Sequence, residues 1–292
     1  MMAQPSAAKT KDTAPAMTDE EYAKFCEFFY RKTGIQFQFN KKYYVDRRIA
    51  DRIEKTKSES FRDYFIMVRF QVSGEELQIL VNSMTVNETY FFREEYQFDA
   101  LVTGMLPSIA KTKPRRDPIR IWSVPCSSGE EPYSIAINIL EHWDQSDAWD
   151  IEIHASDIDS KILNEARAGI YGERSLSRVS PSLRQKYFSR KPDGSHQICD
   201  ELRDSIDFSL VNIIDPLQTR RFRNIDVIFC RNLLIYFDDI GRRETAELFF
   251  DVLAPGGYVC LGHSESMSRM SSIFLPRKFK DTIVYQKPLS AE

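Results

Sequence analysis

The segment from Ile119 to Leu140, IRIWSVPCSSGEEPYSIAINIL, constrains the fold more than any other part of this 292-residue sequence. An apolar run rich in β-branched residues ends at Pro125, a Cys-Ser-Ser-Gly turn follows, and helical spacing resumes after Glu130 and Glu131. This order predicts a buried strand, a tight turn and a helix N-terminus. Three later strand patterns, IEIHASDI, IDVIFCR and GGYVCLGHS, alternate with helical ones. We therefore expect an α/β domain with a parallel sheet and a ligand site at the carboxyl ends of its strands.

The N-terminal part of the chain has a different pattern. Residues 18–86 contain successive amphipathic helical patterns, the first opened by a capping box at Thr18 and Glu21. We predict that they form a small all-helical domain. Residues 1–17 lack the apolar core of a signal peptide, and we predict a flexible leader.

The α/β pattern of residues 87–288 is interrupted once. Between about 172 and 208 the alternation of strands and helices stops, and the turn KPDGS lies between short strand patterns at Gln197–Cys199 and Ile206–Leu210. We interpret this stretch as a small inserted β-subdomain.

Composition excludes several classes of function. The net charge of −3 and the pI near 5.9 provide no global field for nucleic acid. The five cysteines are odd in number and contain no CxxC pair, which argues against a disulfide framework or a zinc site and favours the reduced cytoplasm. No apolar stretch reaches the roughly 18 residues of a membrane span, so we expect no membrane insertion. The cysteine pattern leads us to expect no metal site either.

The turn after the first strand lacks the features of a phosphate site. A dinucleotide site needs GxGxxG, whereas only Gly129 is present, and no GK[ST] follows. Carboxylates suit S-adenosylmethionine, which has no phosphate but has a sulfonium, an α-amino group and ribose hydroxyls. Asp157, at the end of the second predicted strand, stands near where doubly wound folds place their ribose-binding acid. Alternatively, Glu130 and Glu131 only stabilise the helix dipole, and Asp157 or Asp159 is a helix cap.

Two further segments add polar side chains. In FCRNLLIYFD, Arg231 and Asn232 directly follow a strand, which makes Asn232 a candidate for the adenine edge or the methionine moiety and Tyr236 a candidate for the methyl-transfer channel. The alternatives are a structural ion pair for Arg231 and a core position for Tyr236. In NETYFFREEYQF, polar residues alternate with aromatic ones, which suggests that the aromatic side chains anchor the polar ones against the cleft. Taken alone, the aromatic residues would indicate only core packing. The polar residues are Asn87, Thr89 and Arg93.

Together, the segments NETYFFRE, CSSGEEPYSIA, ASDID, CRNLLIYF and LAPGGYVCLGHSE resemble the CheR family, the S-adenosylmethionine-dependent methyltransferases that esterify glutamates on bacterial chemoreceptors. The resemblance covers residues 18 to about 288. It implies a helical receptor-recognition domain, then a Rossmann-like methyltransferase domain with a small inserted β-subdomain, and S-adenosylhomocysteine as product. By motif matching, the cofactor contacts would be Asn87, Thr89, Arg93, Glu131, Asp157, Asn212 with Ile213, and Arg231 with Asn232. The family's first turn often reads Ala-Gly-Cys-Ser-Thr-Gly, whereas this chain has Val-Pro-Cys-Ser-Ser-Gly, and we expect Pro125 to stiffen the turn without abolishing binding.

The resemblance also implies a mechanism without a general base. A glutamate carboxylate has a pKa of about 4.3 and is already a nucleophile at neutral pH. The four histidines belong to no nucleophile motif, and we expect them to be structural or solvated, with His263, which follows the last predicted strand, as the candidate exception. The predicted catalytic residues are Arg93, as the orienting charge, and Tyr236, as part of the channel wall.

A basic helix is the predicted partner surface. Between Lys41 and Lys57, seven basic residues stand against three acidic ones, and Arg48, Arg52 and Lys55 share one helical face. A solvated charged face is the alternative; the resemblance instead implies docking to the cytoplasmic, acidic methylation helices of a chemoreceptor. Some family members bind a peptide tethered at the receptor C-terminus through a longer, glycine-bearing loop of the insertion. Here SRKPDGSHQIC is short, and we predict that the tether is not required.

The sequence leaves two other functions open. The cofactor site does not encode the acceptor, so another protein or a small molecule is an alternative substrate. A non-catalytic adaptor that binds S-adenosylmethionine and a signalling partner is the second alternative. The Asn/Asp-Pro-Pro-Tyr/Phe motif of nucleic-acid amino methylation is absent, and we predict no nucleic-acid partner.

Overall fold

The structure, a computed structural model, describes residues 17–289. The chain divides into two compact units: one ends at Lys32 and resumes over Phe37–Met84, and the other comprises Thr33–Gln36 and the chain from Thr85 onward. Of the predicted leader, residues 1–16 lie outside the described residues, whereas Met17 is buried.

The smaller unit is helical throughout its described residues, as predicted. Its helices are α1 (Asp19–Thr33), α2 (Lys42–Thr56), α3 (Phe61–Phe70) and α4 (Glu75–Met84), with a 3-10 turn at Phe39–Lys41. The capping box at the start of α1 is confirmed: the Thr18 backbone N–H donates to the Glu21 carboxylate at 2.8 Å, and the Glu21 N–H donates to the Thr18 hydroxyl at 3.2 Å. The core of this unit contains Phe25, Phe29 and Ile49, all of which are almost fully buried.

The larger unit is an α/β domain. Its helices are α5 (Glu95–Ala100), α6 (Leu106–Thr112), α7 (Glu130–His142), α8 (Ser160–Ala168), α9 (Pro181–Tyr187), α10 (Asp200–Asp204), α11 (Pro216–Thr219) and α12 (Asp239–Val252). Its strands are β1 (Ile119–Ser123), β2 (Ile151–Asp157), β3 (Ile170–Tyr171), β4 (Phe188–Arg190), β5 (His196–Ile198), β6 (Ile206–Leu210), β7 (Ile225–Cys230), β8 (Leu253–Leu261), β9 (Leu275–Phe279) and β10 (Thr282–Gln286). A π-helical turn at Leu101–Met105 joins α5 to α6.

Seven strands form the main sheet in the order β6-β2-β1-β7-β8-β10-β9. The first five are parallel, which confirms the predicted parallel sheet, and β10 and β9 add an antiparallel edge. All six residues of the central strand β7 are buried, as expected for a strand covered on both faces.

The insertion is a three-stranded antiparallel sheet in the order β3-β5-β4. The predicted strand at Gln197–Cys199 corresponds to β5, displaced by one residue. The assignment of Ile206–Leu210 to this subdomain is wrong, because β6 pairs in parallel with β2 of the main sheet and places Ile206 opposite Ile153. A short strand pattern shows that a segment is extended, but it does not identify the strand with which it pairs.

The lateral register aligns the carboxyl ends of the parallel strands. Ser123 of β1 lies opposite Ala155 of β2 and Phe229 of β7, and Cys230 of β7 lies opposite Leu261 of β8. The loops that follow these strands therefore emerge along one edge of the sheet. Among the described residues, no helix is long and apolar enough to cross a membrane.

Candidate functional site

The turn after β1 is fixed to both neighbouring strands. The Val124 N–H donates to the carbonyl of Phe229 at 2.9 Å, and the Cys126 N–H donates to the carbonyl of Ser156 at 2.8 Å. Gly129, at the N-cap of α7, has a φ of 93°, and a Cβ there would lie 3.0 to 3.1 Å from the Tyr133 side chain and two other side-chain atoms. Glycine is therefore required on both conformational and steric grounds.

Glu131 and Arg231, both predicted cofactor contacts, form one buried ion pair. Arg231 Nη1 lies 3.2 Å from Glu131 Oε2, and the Ser123 hydroxyl donates to Glu131 Oε1 at 2.7 Å. Arg231 also lies 3.4 Å from the Glu94 carboxylate and donates to the Arg93 carbonyl. Burial raises the pKa of Glu131, and the positive charge of Arg231 opposes that rise. The alternative of a structural ion pair for Arg231 thus holds, and its partner is itself a predicted site residue.

Glu130 has a different environment from its neighbour. It is 2% exposed, and its carboxylate accepts from the hydroxyls of Ser128 at 2.6 Å and Ser175 at 2.9 Å. Burial raises its pKa. Glu130 therefore ties the turn after β1 to the insertion, a role beyond stabilising the helix dipole.

Asp157 is a buried carboxylate held by backbone donors. Its two oxygens accept from the N–H groups of Ser127 at 2.8 Å and Asp159 at 2.9 Å. Burial raises the pKa of Asp157 to about 6, and the two backbone donors oppose that rise. The helix-cap alternative holds for Asp159, which accepts from the N–H groups of Lys161 and Ile162, and not for Asp157.

Asp159 also holds the predicted contact Asn87. Asn87 Nδ2 donates to Asp159 Oδ2 at 3.0 Å, and the hydroxyl of Thr85 donates to the same oxygen at 2.6 Å. Because the other oxygen caps α8, Asp159 links the segment of Asn87 to the end of β2. Sequence reasoning considered Asp159 only as a cap and missed this positioning role.

The segment around Thr89 and Arg93 is anchored by aromatic side chains. Phe91 is fully buried, with its ring centroid 4.8 Å from that of Tyr171, and the Phe92 N–H donates to the Ser134 hydroxyl at 3.0 Å. Thr89 and Arg93 are only partly buried, and Arg93 Nη1 donates to the Glu88 carbonyl at 2.8 Å. The aromatic side chains therefore anchor the backbone of this segment in the core, which also fits the alternative of core packing alone.

Tyr236 is half-buried, so it does not belong to the fully buried core. Its backbone carbonyl accepts from the Gln36 N–H at 2.9 Å. Burial raises the pKa of Tyr236, and the charge of Arg93 opposes that rise.

Asn212 and Ile213 follow β6 at the same edge. Ile213 is buried, whereas Asn212 is half-buried; its N–H donates to Gln218 Oε1 at 2.8 Å, and its Oδ1 accepts from the Ile214 N–H at 3.3 Å. These contacts fix the backbone of the loop beside Asp157, since the Val211 N–H donates to the Asp157 carbonyl at 2.9 Å.

Glu265 is a site residue that sequence reasoning missed. Its carboxylate accepts from the backbone N–H groups of Asn232 at 2.8 Å, Leu234 at 2.7 Å and Gly262 at 2.8 Å. Asn232 has a φ of 61°, so the turn that presents it needs this support. The available signal was a lone carboxylate directly after the strand pattern GGYVCLGHS, at the same edge of the sheet.

The predicted partner residues of α2 lie elsewhere, in the helical unit. Arg52 forms two hydrogen bonds of 2.8 Å with Glu76, and its side chain is 12% exposed. Arg48 donates to the Ser83 carbonyl and lies 3.3 Å from the ring centroid of Tyr44. Lys55 is exposed, and its Nζ lies 2.8 Å from Asp51 Oδ2. The face of α2 that carries these three residues therefore does not present three free cations. Arg48 and Arg52 are engaged by acceptors and an aromatic ring within the unit.

The described residues of the edge fit S-adenosylmethionine. Asp157 can accept from ribose hydroxyls, and the Glu131 carboxylate can accept from a cationic α-amino group. Ser127 Oγ is buried and, among the described residues, has no hydrogen-bond partner, which leaves a polar atom for a ligand at this turn. No group of three or more His, Cys, Asp or Glu able to hold a metal ion occurs in the described part of the chain.

Comparisons with known proteins point to one family. Residues 87–282 match the model of the CheR methyltransferase SAM-binding domain, and residues 20–85 match that of the CheR methyltransferase all-alpha domain. Chemotaxis protein methyltransferase 2 of Vibrio cholerae is 52% identical, over 93% of this chain and 94% of that protein. The chemotaxis protein methyltransferase of Escherichia coli is 32% identical, over 90% of each chain. The chain belongs to the CheR family of S-adenosylmethionine-dependent methyltransferases.

Proposed function

We propose that this protein transfers the methyl group of S-adenosylmethionine to glutamate carboxylates of chemoreceptors, giving glutamate methyl esters and S-adenosylhomocysteine. The observation that supports this most is the convergence of Asp157, the Glu131–Arg231 pair and the turn of Asn232 at the ends of three adjacent parallel strands. They lie within the residues that match the family's SAM-binding domain.

Each cofactor contact has a proposed role. Asp157 accepts from the ribose hydroxyls and Glu131 binds the α-amino group, whereas the charge of Arg231 opposes the rise in the pKa of Glu131 that burial causes. Asn232 hydrogen-bonds the adenine edge or the methionine moiety. The remaining proposed contacts line the same cleft from the segment before α5 and from the loop after β6; they are Asn87, Thr89, Arg93, Asn212 and Ile213.

The chemistry needs positioning more than acid–base catalysis. The acceptor carboxylate, with a pKa of about 4.3, is ionised at neutral pH. When bound, S-adenosylmethionine supplies an electrophilic methyl group, whose carbon–sulfur bond breaks as the carboxylate oxygen bonds to the carbon and the sulfur takes the electron pair. Arg93 orients the acceptor carboxylate, and Tyr236 lines the channel and excludes water.

We propose that the receptor docks on α2 through its exposed cations. Lys55 retains the predicted role, and exposed Arg47 joins it, whereas Arg48 and Arg52 shape the helix through contacts inside the unit. The acidic, cytoplasmic methylation helices of a chemoreceptor have the complementary charge. Charge reversal of Arg47 should therefore raise the KM for the receptor and leave that for the cofactor unchanged.

We also propose that the receptor's C-terminal tether is not needed. The loop between β4 and β5 comprises only residues 191–195. The Lys191 N–H donates to the Ser195 carbonyl at 2.8 Å, and the Gly194 N–H donates to the Lys191 carbonyl at 3.0 Å, which closes the loop. Measurable binding of a tether peptide to the isolated protein would contradict this proposal. The proposed setting is the cytoplasm, where the five cysteines, all unpaired, stay reduced.

Label transfer tests the function directly. Radiolabelled S-adenosylmethionine is incubated with a chemoreceptor signalling domain, and base-labile label on the receptor is scored. Arg93→Ala is the matched variant, because it removes the guanidinium yet keeps the backbone carbonyl that accepts from Arg231. Cofactor binding without receptor labelling would favour another acceptor or an adaptor.

A further inference from the structure

The segment that follows β8 has an unusual charge distribution. Between Gly262 and Lys280 the exposed ionisable side chains other than His263 are all cationic: Arg269, Arg277, Lys278 and Lys280. The sole carboxylate of the segment, Glu265, is turned inward onto three backbone N–H groups. This edge of the protein is therefore basic, although the chain as a whole has a net charge of −3.

A groove of about 470 Å³ lies along this segment. Side chains from α5, from the end of β8 and from the β9–β10 hairpin line it, and they include Tyr96, Gln97, His263, Lys278, Lys280 and Tyr285. We call it the basic groove. Among its described lining residues, the one exposed carboxylate is Asp281, whose Oδ2 lies 3.9 Å from the Lys280 ammonium nitrogen.

The register of the hairpin decides which cations face the groove. Lys278 pairs with Ile283, and both line the groove. Arg277 pairs with the fully buried Val284, so it lies on the opposite face of the strand, where its Nε donates to Gln286 Oε1 at 2.6 Å. Because side chains alternate along a strand, the side chains of the adjacent residues Arg277 and Lys278 point to opposite faces of β9.

The groove also contains unused hydrogen-bonding capacity. Gln97 is 2% exposed; its Nε2 donates to the Leu261 carbonyl at 2.8 Å and to the Glu94 carboxylate at 3.1 Å. Its Oε1 is buried and has no partner among the described residues. A buried acceptor of this kind favours a ligand that donates N–H groups, as a polypeptide does.

The basic groove adjoins the proposed methyl-transfer site. Glu265 lines the groove and accepts from the N–H groups of both Gly262 and Asn232, so one carboxylate supports the groove and the turn that presents Asn232. Leu261 and Cys230, the last residues of β8 and β7, are paired. A chain lying in the groove would therefore run towards the site.

We propose that the basic groove binds an acidic segment of the acceptor polypeptide, next to the glutamate that is methylated. This inference rests on the proposed function, since a glutamate-rich acceptor supplies the charge complementary to Lys278 and Lys280. The contact is electrostatic and solvent-exposed, so salt weakens it.

The test compares two charge reversals on one hairpin. The double variant Lys278→Glu with Lys280→Glu should lower kcat/KM for the receptor fragment by about tenfold at low salt, with the difference shrinking at high salt. The KM for S-adenosylmethionine and the melting temperature should stay the same. Arg277 points away from the groove, so kcat/KM of the Arg277→Glu variant for the receptor fragment should stay within about twofold of that of the unmodified protein. Equal effects of both changes on the receptor kinetics, or no effect of the double change, would overturn the proposal.

A binding measurement separates this proposal from the proposed function. A fluorescent glutamate-rich helical peptide is titrated with each protein, and anisotropy is followed without any turnover. Loss of binding in the double variant alone supports the groove even if no receptor is methylated. Peptide binding that is unchanged in the double variant overturns the proposal. Binding of an RNA oligonucleotide in the groove, in place of the peptide, overturns it as well.

Discussion

Asp157 should make cofactor binding depend on pH in the weakly acidic range. Its pKa is raised to about 6 because the carboxylate is buried. If the ribose hydroxyls donate to the ionised carboxylate, protonation of Asp157 competes with binding. With this pKa, about nine in ten Asp157 side chains are ionised at pH 7 and about one in ten at pH 5.

The magnitude follows from these fractions. The affinity for S-adenosylhomocysteine should fall about tenfold from pH 7 to pH 5, equivalent to about 1.4 kcal/mol. The α-amino group of the ligand stays protonated over this range, so it adds little to the slope. Binding at pH 5 should also release about one proton, because the bound ligand favours the ionised carboxylate.

Isothermal titration calorimetry with S-adenosylhomocysteine at pH 5, 6 and 7, in two buffers of different ionisation enthalpy, measures both quantities. Asp157→Asn is the control: it should bind more weakly at pH 7 and show a much smaller pH dependence. An unmodified protein whose affinity is constant over this range, or an Asp157→Asn variant with the same slope, would refute the reasoning.

Three further changes have defined outcomes. Gly129→Ala should lower the free energy of unfolding by about 1–3 kcal/mol, measured by urea denaturation, since an alanine there is strained and crowded; an unchanged midpoint would contradict the observed turn. Glu265→Gln leaves a backbone donor facing an amide N–H, so kcat/KM for methyl transfer should fall by about tenfold, which corresponds to about 1.4 kcal/mol. The matched control on the neighbouring residue, Ser264→Ala, should leave kcat/KM nearly unchanged. Arg52→Ala leaves the buried Glu76 without its cation and should lower the free energy of unfolding by about 3 kcal/mol, with unchanged cofactor affinity. A loss of kcat/KM for the receptor without any loss of stability would show instead that Arg52 contacts the partner.

The sequence predicted the elements with strong periodicity. The strand at Ile119–Ser123, the turn with Gly129 and the helix after it follow from apolar spacing and from the glycine that a left-handed turn needs. Asp157 could be located because carboxyl ends of parallel strands share one edge, so a carboxylate after a strand pattern points to that edge.

Other features depend on tertiary partners that local patterns do not show. The segment LPRKF of β9 is mostly exposed and basic at an edge of the sheet, so it lacks the apolar run by which buried strands are found. Arg48 and Arg52 share a helical face with Lys55, but the positions of Tyr44, Ser83 and Glu76 determine which of these cations are engaged. Glu265 was missed because its three partners are backbone N–H groups, which leave no trace in side-chain composition.

The most direct test of the central claim is mass spectrometry of a chemoreceptor signalling domain after incubation with this protein and S-adenosylmethionine. We predict one added methylene on individual glutamates, removed by mild alkali and, at limiting S-adenosylmethionine, strongly reduced when Asp157→Asn replaces the unmodified protein. Alkali-stable methylation on another residue type, or an unmodified receptor in the presence of a protein that binds the cofactor, would contradict the account.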